Sequence, residues 1–246
     1  MKKSHILFRM LAFFLCVQPL FAGELFYSSD PDVGVFHLPG KIIQDVPNLA
    51  TPDNAFIGII GGGLALGDGI ALDPSNPWPS GLQSFHASGL WDFGNFYGQG
   101  WVEGFGAVGA WAWGGVSSDL RLAEFGRDAT ESLALATVLV TGLKYTFRRE
   151  RPDGSNNLSF PSGHTITAFC VAPVIEKYGG DELGIPAYAL AALTGLSRVE
   201  GKHHYLSDVL VGATLGILIG NMAVGKSKAL SVSAGVGRAS VSWNFN

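Results

Sequence analysis

From Ala55 onward, apolar segments of helical length alternate with short polar or glycine-rich breaks. Six such segments lie at about 55–72, 98–115, 129–148, 163–178, 185–197 and 205–224. Short connections between helices favour antiparallel neighbours that bury their apolar faces against one another. The pattern therefore predicts an all-α protein, a helical bundle of about six helices.

The start of the chain differs from this central part. Residues 1–22 combine a basic beginning at Lys2, Lys3 and Arg9 with an apolar stretch and a small-residue edge at Ala22. This arrangement is typical of a secretory signal peptide, which is cleaved on export. An uncleaved anchor helix is the alternative, and both interpretations predict an exported protein.

Composition divides the remaining chain into three parts. Residues 23–54 are predicted to be an irregular lead-in and residues 55–228 the folded domain. Residues 229–246 alternate apolar and polar side chains, which predicts a short C-terminal β-hairpin. The break at 73–91 contains three prolines and is predicted to be an irregular lid; its lone His86 is left outside the site.

Hydrophobic residues make up 47% of the chain and charged residues 15%, and 34 glycines recur among the apolar stretches. Such a composition indicates a helical protein that is either embedded in a membrane or very tightly packed. Acidic residues outnumber basic ones, so a nucleic-acid partner is not expected. Cys16 lies in the signal peptide, which leaves Cys170 without a disulfide partner, and no residue set resembles a zinc site.

Three polar blocks stand out on this apolar background, and the first is Lys144 followed by Arg151 and Pro152. Residues seven apart return to nearly the same face of a helix, so both cations can point at one spot. Pro152 biases Arg151 away from helical backbone, and at a helix end its guanidinium can grip two phosphate oxygens. The neighbouring Arg148 and Arg149 are predicted to be a solvated basic face.

The second block, Pro161-Ser162-Gly163-His164, precedes an apolar run and is predicted to open a helix. A helix start presents unpaired N–H groups to an anion, Ser162 can add its hydroxyl, and Gly163 lets the backbone come close. His164 would lie within reach of the same anion. For this block alone, an ordinary serine N-cap beside an incidental histidine is the alternative.

The third block is Ser197-Arg198 followed by His204 and Asp208. His204 and Asp208 are four residues apart near the start of the last helix, and hence on one face. A carboxylate that accepts a hydrogen bond from one imidazole nitrogen leaves the other nitrogen free as a nucleophile. His203 is five residues from Asp208 and is predicted to be the solvated neighbour.

In order, the blocks read Lys-x6-Arg-Pro, Pro-Ser-Gly-His and Ser-Arg-x5-His-x3-Asp. This series resembles the signature motifs of the type 2 phosphatidic acid phosphatase (PAP2) superfamily, which includes bacterial class A acid phosphatases and vanadium haloperoxidases. Every specified position between Lys144 and Asp208 matches. The resemblance implies a PAP2-type helical core and a phosphatase that needs neither a metal nor another cofactor.

By that resemblance, the catalytic residues would be His204, His164 and Asp208. His204 would attack phosphorus to form a phosphohistidine while Asp208 orients it, and His164 would protonate the leaving oxygen and later activate water. The phosphate oxygens would be held by Lys144, Arg151, Ser162, Gly163 and Arg198.

The family includes six-span membrane enzymes and soluble exported ones. Segments 129–143 and 185–197 are short for membrane spans of about 20 residues. Val209–Val224 is strongly apolar and is followed by Lys226 and Lys228, as a positive-inside flank would be. We expect an exported periplasmic protein, soluble or membrane-associated, that hydrolyses phosphate monoesters or lipid phosphates.

Two other functions are compatible with the same residues. A vanadate-dependent haloperoxidase would hold vanadate where the phosphoryl group is transferred. A non-enzymatic envelope protein would retain the pocket without turnover. The sequence leaves open which phosphorylated small molecule or lipid binds, and in which oligomeric state.

Overall fold

The computed structural model describes the backbone of residues 38–71, 88–225, 230–235 and 238–243, with side chains for 38–64 and 89–225. The predicted signal peptide lies outside these residues. The helices are α1 (Leu38–Asp45), α2 (Pro52–Ala71), α3 (Ser88–Tyr97), α4 (Trp101–Ser117), α5 (Leu120–Phe147), α6 (Gly163–Glu200) and α7 (Leu206–Ala223), with a 3₁₀ turn at Val46–Ala50. The prediction of an all-α fold is confirmed.

The core of the bundle lies between α5, α6 and α7. Its buried apolar side chains include Leu133, Ala136 and Val140 from α5, Ile166, Cys170 and Val174 from α6, and Ile219 from α7. Helices α6 and α7 approach closely, since a Cβ on Gly216 would lie 2.8 Å from the carbonyl oxygen of Ile166. Both helices begin at the same end of the bundle, where the Ser162 N–H donates a 3.1 Å hydrogen bond to the Asp208 carbonyl. Their positive N-terminal ends therefore meet at one place.

Helix α6 is bent into two arms at Gly180, whose φ of 65° and ψ of −173° are not helical. This left-handed φ is accessible to glycine because it has no Cβ. The arms, 163–179 and 181–200, correspond to the two segments predicted at 163–178 and 185–197. The second arm runs back to the end of the bundle where the first arm begins. Arg198 of the third polar block therefore lies close to the second polar block.

Helix α3 begins inside the stretch 73–91, so the prediction of irregular structure there is wrong for its last residues. Trp91 is buried against Val199 and Val209, and this packing onto α6 and α7 favours a helix despite the preceding prolines. The rest of that stretch lies outside the described residues, and the lid stays a prediction.

The described part of the lead-in, 23–54, is also helical rather than irregular. Helix α1 is anchored by Lys41, whose ammonium donates hydrogen bonds to Glu131 of α5 at 2.6 Å and to the Ala223 carbonyl of α7 at 3.0 Å. The described part of the lead-in, residues 38–54, thus packs on the bundle, because the hydrogen bonds of Lys41 hold α1 against two core helices.

Helix α5 begins at Leu120, nine residues before the apolar segment predicted from position 129. Asp119 caps it by accepting a 3.1 Å hydrogen bond from the Leu122 N–H. The added turns carry polar residues, which is why an apolar segment did not reveal them.

The tail predicted as a β-hairpin has two backbone segments, β1 (Leu230–Gly235) and β2 (Arg238–Trp243), that pair antiparallel. Their side chains and the turn between them lie outside the described residues. The fold class therefore rests on the helices alone, and the hairpin as part of the folded protein stays a prediction.

Candidate active site

The three polar blocks converge at the end of the bundle where α6 and α7 begin. Lys144 comes from the last turn of α5, His164 from the first turn of α6 and Arg198 from its last turn. Their proximity is visible at His164, where burial, the charge of Arg198 and the ring of His204 lower the imidazole pKa to about 3. The fold therefore collects these groups in one strongly positive pocket.

His204 and Asp208 lie side by side in the interior. The histidine is 1% exposed, and its Nδ1 is 3.7 Å from Oδ2 of Asp208. Burial lowers the pKa of His204 to about 4, although the Asp208 carboxylate opposes this shift. The ring is therefore neutral at pH 7 and can offer a lone pair.

Ser159 joins this pair and was absent from the predicted set. Its hydroxyl donates a 2.5 Å hydrogen bond to Oδ2 of Asp208 and lies 3.5 Å from Nδ1 of His204. The residue precedes the second block by two positions, and serines in such loops are common, so its sequence carried no distinguishing signal.

Arg149 holds the other oxygen of the same carboxylate. Its Nη1 is 2.7 Å from Oδ1 of Asp208 and 2.9 Å from the Ser207 hydroxyl. Its guanidinium carbon lies 4.0 Å from the centre of the Tyr205 ring. The prediction of a solvated basic face is therefore wrong for Arg149, because the chain turns after α5 and directs this side chain inward.

That turn also changes the predicted geometry of the first block. Helix α5 ends before Arg148, whose φ of 45° and ψ of 41° are left-handed. Lys144 and Arg151 thus do not share a helical face, as their spacing had suggested. Arg151 lies in the following loop, where Nε donates to the Asn156 side-chain oxygen at 3.0 Å and Nη1 to the His203 carbonyl at 3.2 Å.

The Lys144 ammonium reaches the pocket from α5 and donates a hydrogen bond to the Leu158 carbonyl. Burial, together with the charge of Arg151, lowers the pKa of Lys144 to about 8. A phosphate would favour the charged form, since an anion at this position offsets the neighbouring arginines.

Arg198 is buried and is held by a residue outside the three blocks. Its Nη1 donates a 2.6 Å hydrogen bond to Oδ1 of Asn95 in α3. Its Nε is buried with no hydrogen-bond partner among the described residues. An N–H without a partner is costly in the interior, so this group suits an incoming phosphate oxygen.

The start of α6 supplies backbone donors. Ser162 is buried and does not cap the helix with its hydroxyl, which instead accepts a 2.8 Å hydrogen bond from Thr165. The first N–H groups of a helix have no intrahelical acceptor, so those of Gly163 and His164 are placed to bind an anion.

His203 lies at the rim rather than in the interior. Its side chain is 40% exposed, and Nδ1 is 3.0 Å from Oδ2 of Asp153. His204, its neighbour in sequence, is the imidazole that faces Asp208.

The pocket therefore combines three cationic side chains and two helix N-termini with one buried carboxylate. Burial alone would raise the pKa of Asp208, but the nearby His204 ring, the hydrogen bond from Ser159 and the charge of Arg149 lower it instead. The chemistry of these groups suits a tetrahedral polyanion beside a neutral imidazole. Within the part of the chain whose side chains are described, no group of three His, Cys, Asp or Glu residues is arranged to hold a metal ion.

The sequence that forms this site is similar to a known protein family. Residues 126–229 match the family model described as the PAP2 superfamily, and this stretch contains all three blocks. This part of the chain is therefore similar to the PAP2 superfamily, in agreement with the resemblance of its motifs.

Curated relatives are similar to part of this chain. Over 93 residues, the chain is 43% identical to lipid A 1-phosphatase of Porphyromonas gingivalis, which covers 37% of this chain and 21% of that protein. Over 92 residues it is 38% identical to phosphatidylglycerophosphatase B of Bacillus subtilis, covering 31% and 45% of the two proteins. The chain thus aligns with less than half the length of these two relatives.

Among solved structures, the chain is similar to the crystal structure of Aquifex aeolicus LpxE. The two are 24% identical with a TM-score of 0.45, and the match covers 58% of this chain and 88% of that one.

Proposed function

We propose that this protein is a metal-independent phosphatase that hydrolyses lipid phosphates outside the cytoplasm through a phosphohistidine. The observation that carries the proposal is the buried, neutral His204 beside Asp208, in a pocket of cations at two helix starts. A phosphoryl group bound there would have a nucleophile on one side and charge-stabilising donors around it.

In the first step, the lone pair on Nε2 of His204 attacks phosphorus in line and forms a P–N bond. The bond from phosphorus to the leaving oxygen breaks, and that oxygen takes a proton from His164. In the second step, His164 removes a proton from water, the water oxygen attacks phosphorus, and the P–N bond breaks to release inorganic phosphate.

His164 must carry a proton when the leaving oxygen departs, although its pKa is about 3 in the empty pocket. Part of that low pKa is due to the charges of Arg198 and Arg151. A bound phosphate dianion offsets those charges and favours the imidazolium, so substrate binding itself prepares the general acid.

Lys144, Arg151 and Arg198 would hold the equatorial oxygens of the transferred group. Charge on these oxygens is greatest around the transition state, where preorganised donors in a buried site act most strongly. Ser162 and the N–H of Gly163 complete the set at the start of α6.

The surface of α4 supports a lipid substrate. Its outward side chains Trp101, Phe105, Val108, Trp113 and Val116 are 37% to 62% exposed. The opposite face of α4 is buried, with Ala107 and Trp111 among its contacts. An outward face made of large apolar side chains fits contact with lipid better than with water.

The names of the curated relatives also favour membrane association. Among the described helices, α7 is the one long and apolar enough to cross a membrane, but 56% of it is buried inside the structure, as in a core helix. The curated relatives named above carry names of lipid phosphatases. Export would follow from the signal sequence predicted at 1–22.

The decisive test compares His204→Ala with His203→Ala in purified protein containing EDTA. We expect the first variant to lose phosphate release and the second to keep it, for a soluble aryl phosphate and for a lipid phosphate. Wild-type enzyme quenched with alkaline detergent should show a base-stable, acid-labile phosphoenzyme that His204→Ala lacks. Retained turnover in His204→Ala would rule out the mechanism.

A substrate panel then separates the lipid proposal from a general monoesterase. Phosphatidic acid, phosphatidylglycerol phosphate, an isoprenyl pyrophosphate and a soluble monoester should be compared at equal phosphate concentration. We expect a higher kcat/KM for at least one lipid phosphate than for the soluble monoester. A higher kcat/KM for the soluble monoester than for every lipid would contradict the proposal of a lipid substrate.

A further inference from the structure

The Asp208 carboxylate is bound by a different set of groups at each of its two oxygens. Oδ2 accepts the Ser159 hydroxyl and, at 3.0 Å, the Tyr205 N–H, and it faces His204. Oδ1 accepts from Arg149 at 2.7 Å. Arg149 binds Oδ1 and thereby fixes the orientation of the carboxylate, including Oδ2, which faces His204.

We propose that Arg149 is a positioning residue that fixes Asp208 and, through it, the ring of His204. The inference rests on the proposed function, because it assigns Arg149 a part in the same reaction. Arg149 does not face the pocket that would hold phosphate, since its guanidinium is engaged by Asp208, Ser207 and Tyr205.

Three contacts hold the Arg149 side chain in one orientation. Nη1 is shared between Asp208 and the hydroxyl of Ser207, and the guanidinium plane lies over the Tyr205 ring. Its backbone is also fixed, because the Arg149 carbonyl accepts a 2.9 Å hydrogen bond from the Ser159 N–H. One residue thus links the end of α5, the loop before the second block and the first turn of α7.

Removing the guanidinium would leave Oδ1 of a fully buried carboxylate without its cation. An uncompensated buried charge takes up a proton or rotates toward another donor. Either change misplaces the group that orients His204, and about 1 Å of misplacement can reduce turnover by about 10²-fold.

The electrostatic effect has a definite sign. The charged groups facing Asp208 are Arg149 from the α5 end and Lys144 from α5, and the titratable neutral group facing it is His204 before α7. Without Arg149, Asp208 binds a proton more readily and its charge attracts a proton on His204 more strongly. Both changes move the acidic limb of the kcat–pH profile to higher pH.

The adjacent Arg148 provides a matched control. It carries the same charge one residue earlier, but its Nε donates to the Tyr145 carbonyl at 3.2 Å, and the residue is exposed. Arg148→Gln and Arg149→Gln therefore change the net charge equally and differ in whether Asp208 loses its partner.

Kinetics of a soluble aryl phosphate should be measured from pH 4 to pH 9 for both variants and for Arg149→Lys. For Arg149→Gln we expect kcat to fall about 10²-fold with KM little changed and the acidic limb shifted upward. Arg149→Lys should recover part of kcat, and Arg148→Gln should match the wild type. Equal kcat in the two glutamine variants, or a change confined to KM, would overturn the inference.

A second measurement does not require turnover. NMR titration of ring-labelled histidine, with His204 assigned by His204→Ala, reports the His204 pKa and folding together. We expect a higher His204 pKa in folded Arg149→Gln and no change in Arg148→Gln. An unchanged pKa would overturn the inference, whereas inactive wild-type protein with the expected pKa change would count against the proposed function alone.

Discussion

Asn95 accepts a 2.6 Å hydrogen bond from Arg198, a residue 103 positions later in the chain. The same amide oxygen accepts a 3.2 Å hydrogen bond from the Ser197 hydroxyl. The residue that follows α3 also lies close to the second block, since a Cβ on Gly98 would lie 3.0 Å from the His164 carbonyl oxygen. Helix α3 therefore forms one wall of the pocket, although none of the three motifs includes it.

Asn95→Ala should weaken phosphate binding more than it slows chemistry. Arg198 would lose the partner that orients its guanidinium, and a lost hydrogen bond to a charged group costs about 1.5 to 3 kcal/mol. We expect the Ki of inorganic phosphate and the KM of an aryl phosphate to rise about tenfold or more. Gln99→Ala, an exposed change nearby, is the control, and equal effects of the two variants would argue against this role.

Lys144 gives phosphate binding a pH dependence. Its pKa of about 8 in the empty pocket means that the free protein loses this positive charge as the pH rises above that value. Phosphate binds the protein in which Lys144 is charged, so above pH 8 formation of the complex takes up a proton. The affinity for phosphate therefore falls by up to about tenfold per pH unit.

The Ki of inorganic phosphate should therefore increase between pH 8 and pH 9.5 in the wild type. Lys144→Arg keeps its charge throughout this range, because the arginine pKa is above about 12. We expect a flatter profile for this variant. Parallel profiles would show that another group causes the dependence.

The motif residues could be found from sequence because their identity and spacing are local. Lys144, His164, Arg198 and His204 all face one pocket once the helices are paired. Asn95 could not be found in this way, because its contact with Arg198 depends on how α3 packs against α6.

Arg149 was misassigned for a conformational reason. Its direction depends on the left-handed backbone at Arg148, which arginine rarely adopts and which no residue type in the block indicates. A helical continuation would have placed Arg149 on the solvent side, as predicted. The start of helix α3 was missed because the prolines that precede it suggested irregular structure. The burial of Trp91, which favours the helix, depends on tertiary packing that the local sequence does not show.

Close packing of α6 on α7 should be sensitive to a single methyl group. In Gly216→Ala the new Cβ would lie 2.8 Å from the backbone oxygen of Ile166, which cannot move without shifting α6. We expect a loss of about 1 to 3 kcal/mol in the free energy of unfolding. Guanidinium chloride unfolding followed by circular dichroism measures it.

Gly109→Ala is the matched control for this change, because its Cβ would meet nothing within 4 Å. Alanine is favoured over glycine inside a helix by about 1 kcal/mol, so this variant should be slightly more stable than the wild type. Similar destabilisation in both variants would contradict the packing explanation.

The aromatic residues where α3 meets α4 should matter for lipid substrates. The ring of Trp101 packs edge-on against Phe96 at 5.7 Å and Phe105 at 6.3 Å between centroids, and its indole N–H donates to Gln99. Trp101 is half-exposed and lies next to Gly98, which borders the pocket. Such amphipathic rings favour the membrane–water interface.

Trp101→Ala should lower kcat/KM for a lipid phosphate in vesicles while leaving turnover of a soluble aryl phosphate unchanged. Burial of an indole in an interface is worth a few kcal/mol at most, so we expect a loss of about tenfold. Trp113→Ala removes an indole that is 62% exposed, against 50% for Trp101, and lies about 18 Å farther along α4. We expect a smaller loss from it, because Trp113 lies away from the pocket. If Trp101→Ala reduced turnover of both substrates, Trp101 would instead contribute to the active site itself. Equal losses in Trp101→Ala and Trp113→Ala would contradict a specific role for the aromatic residues where α3 meets α4.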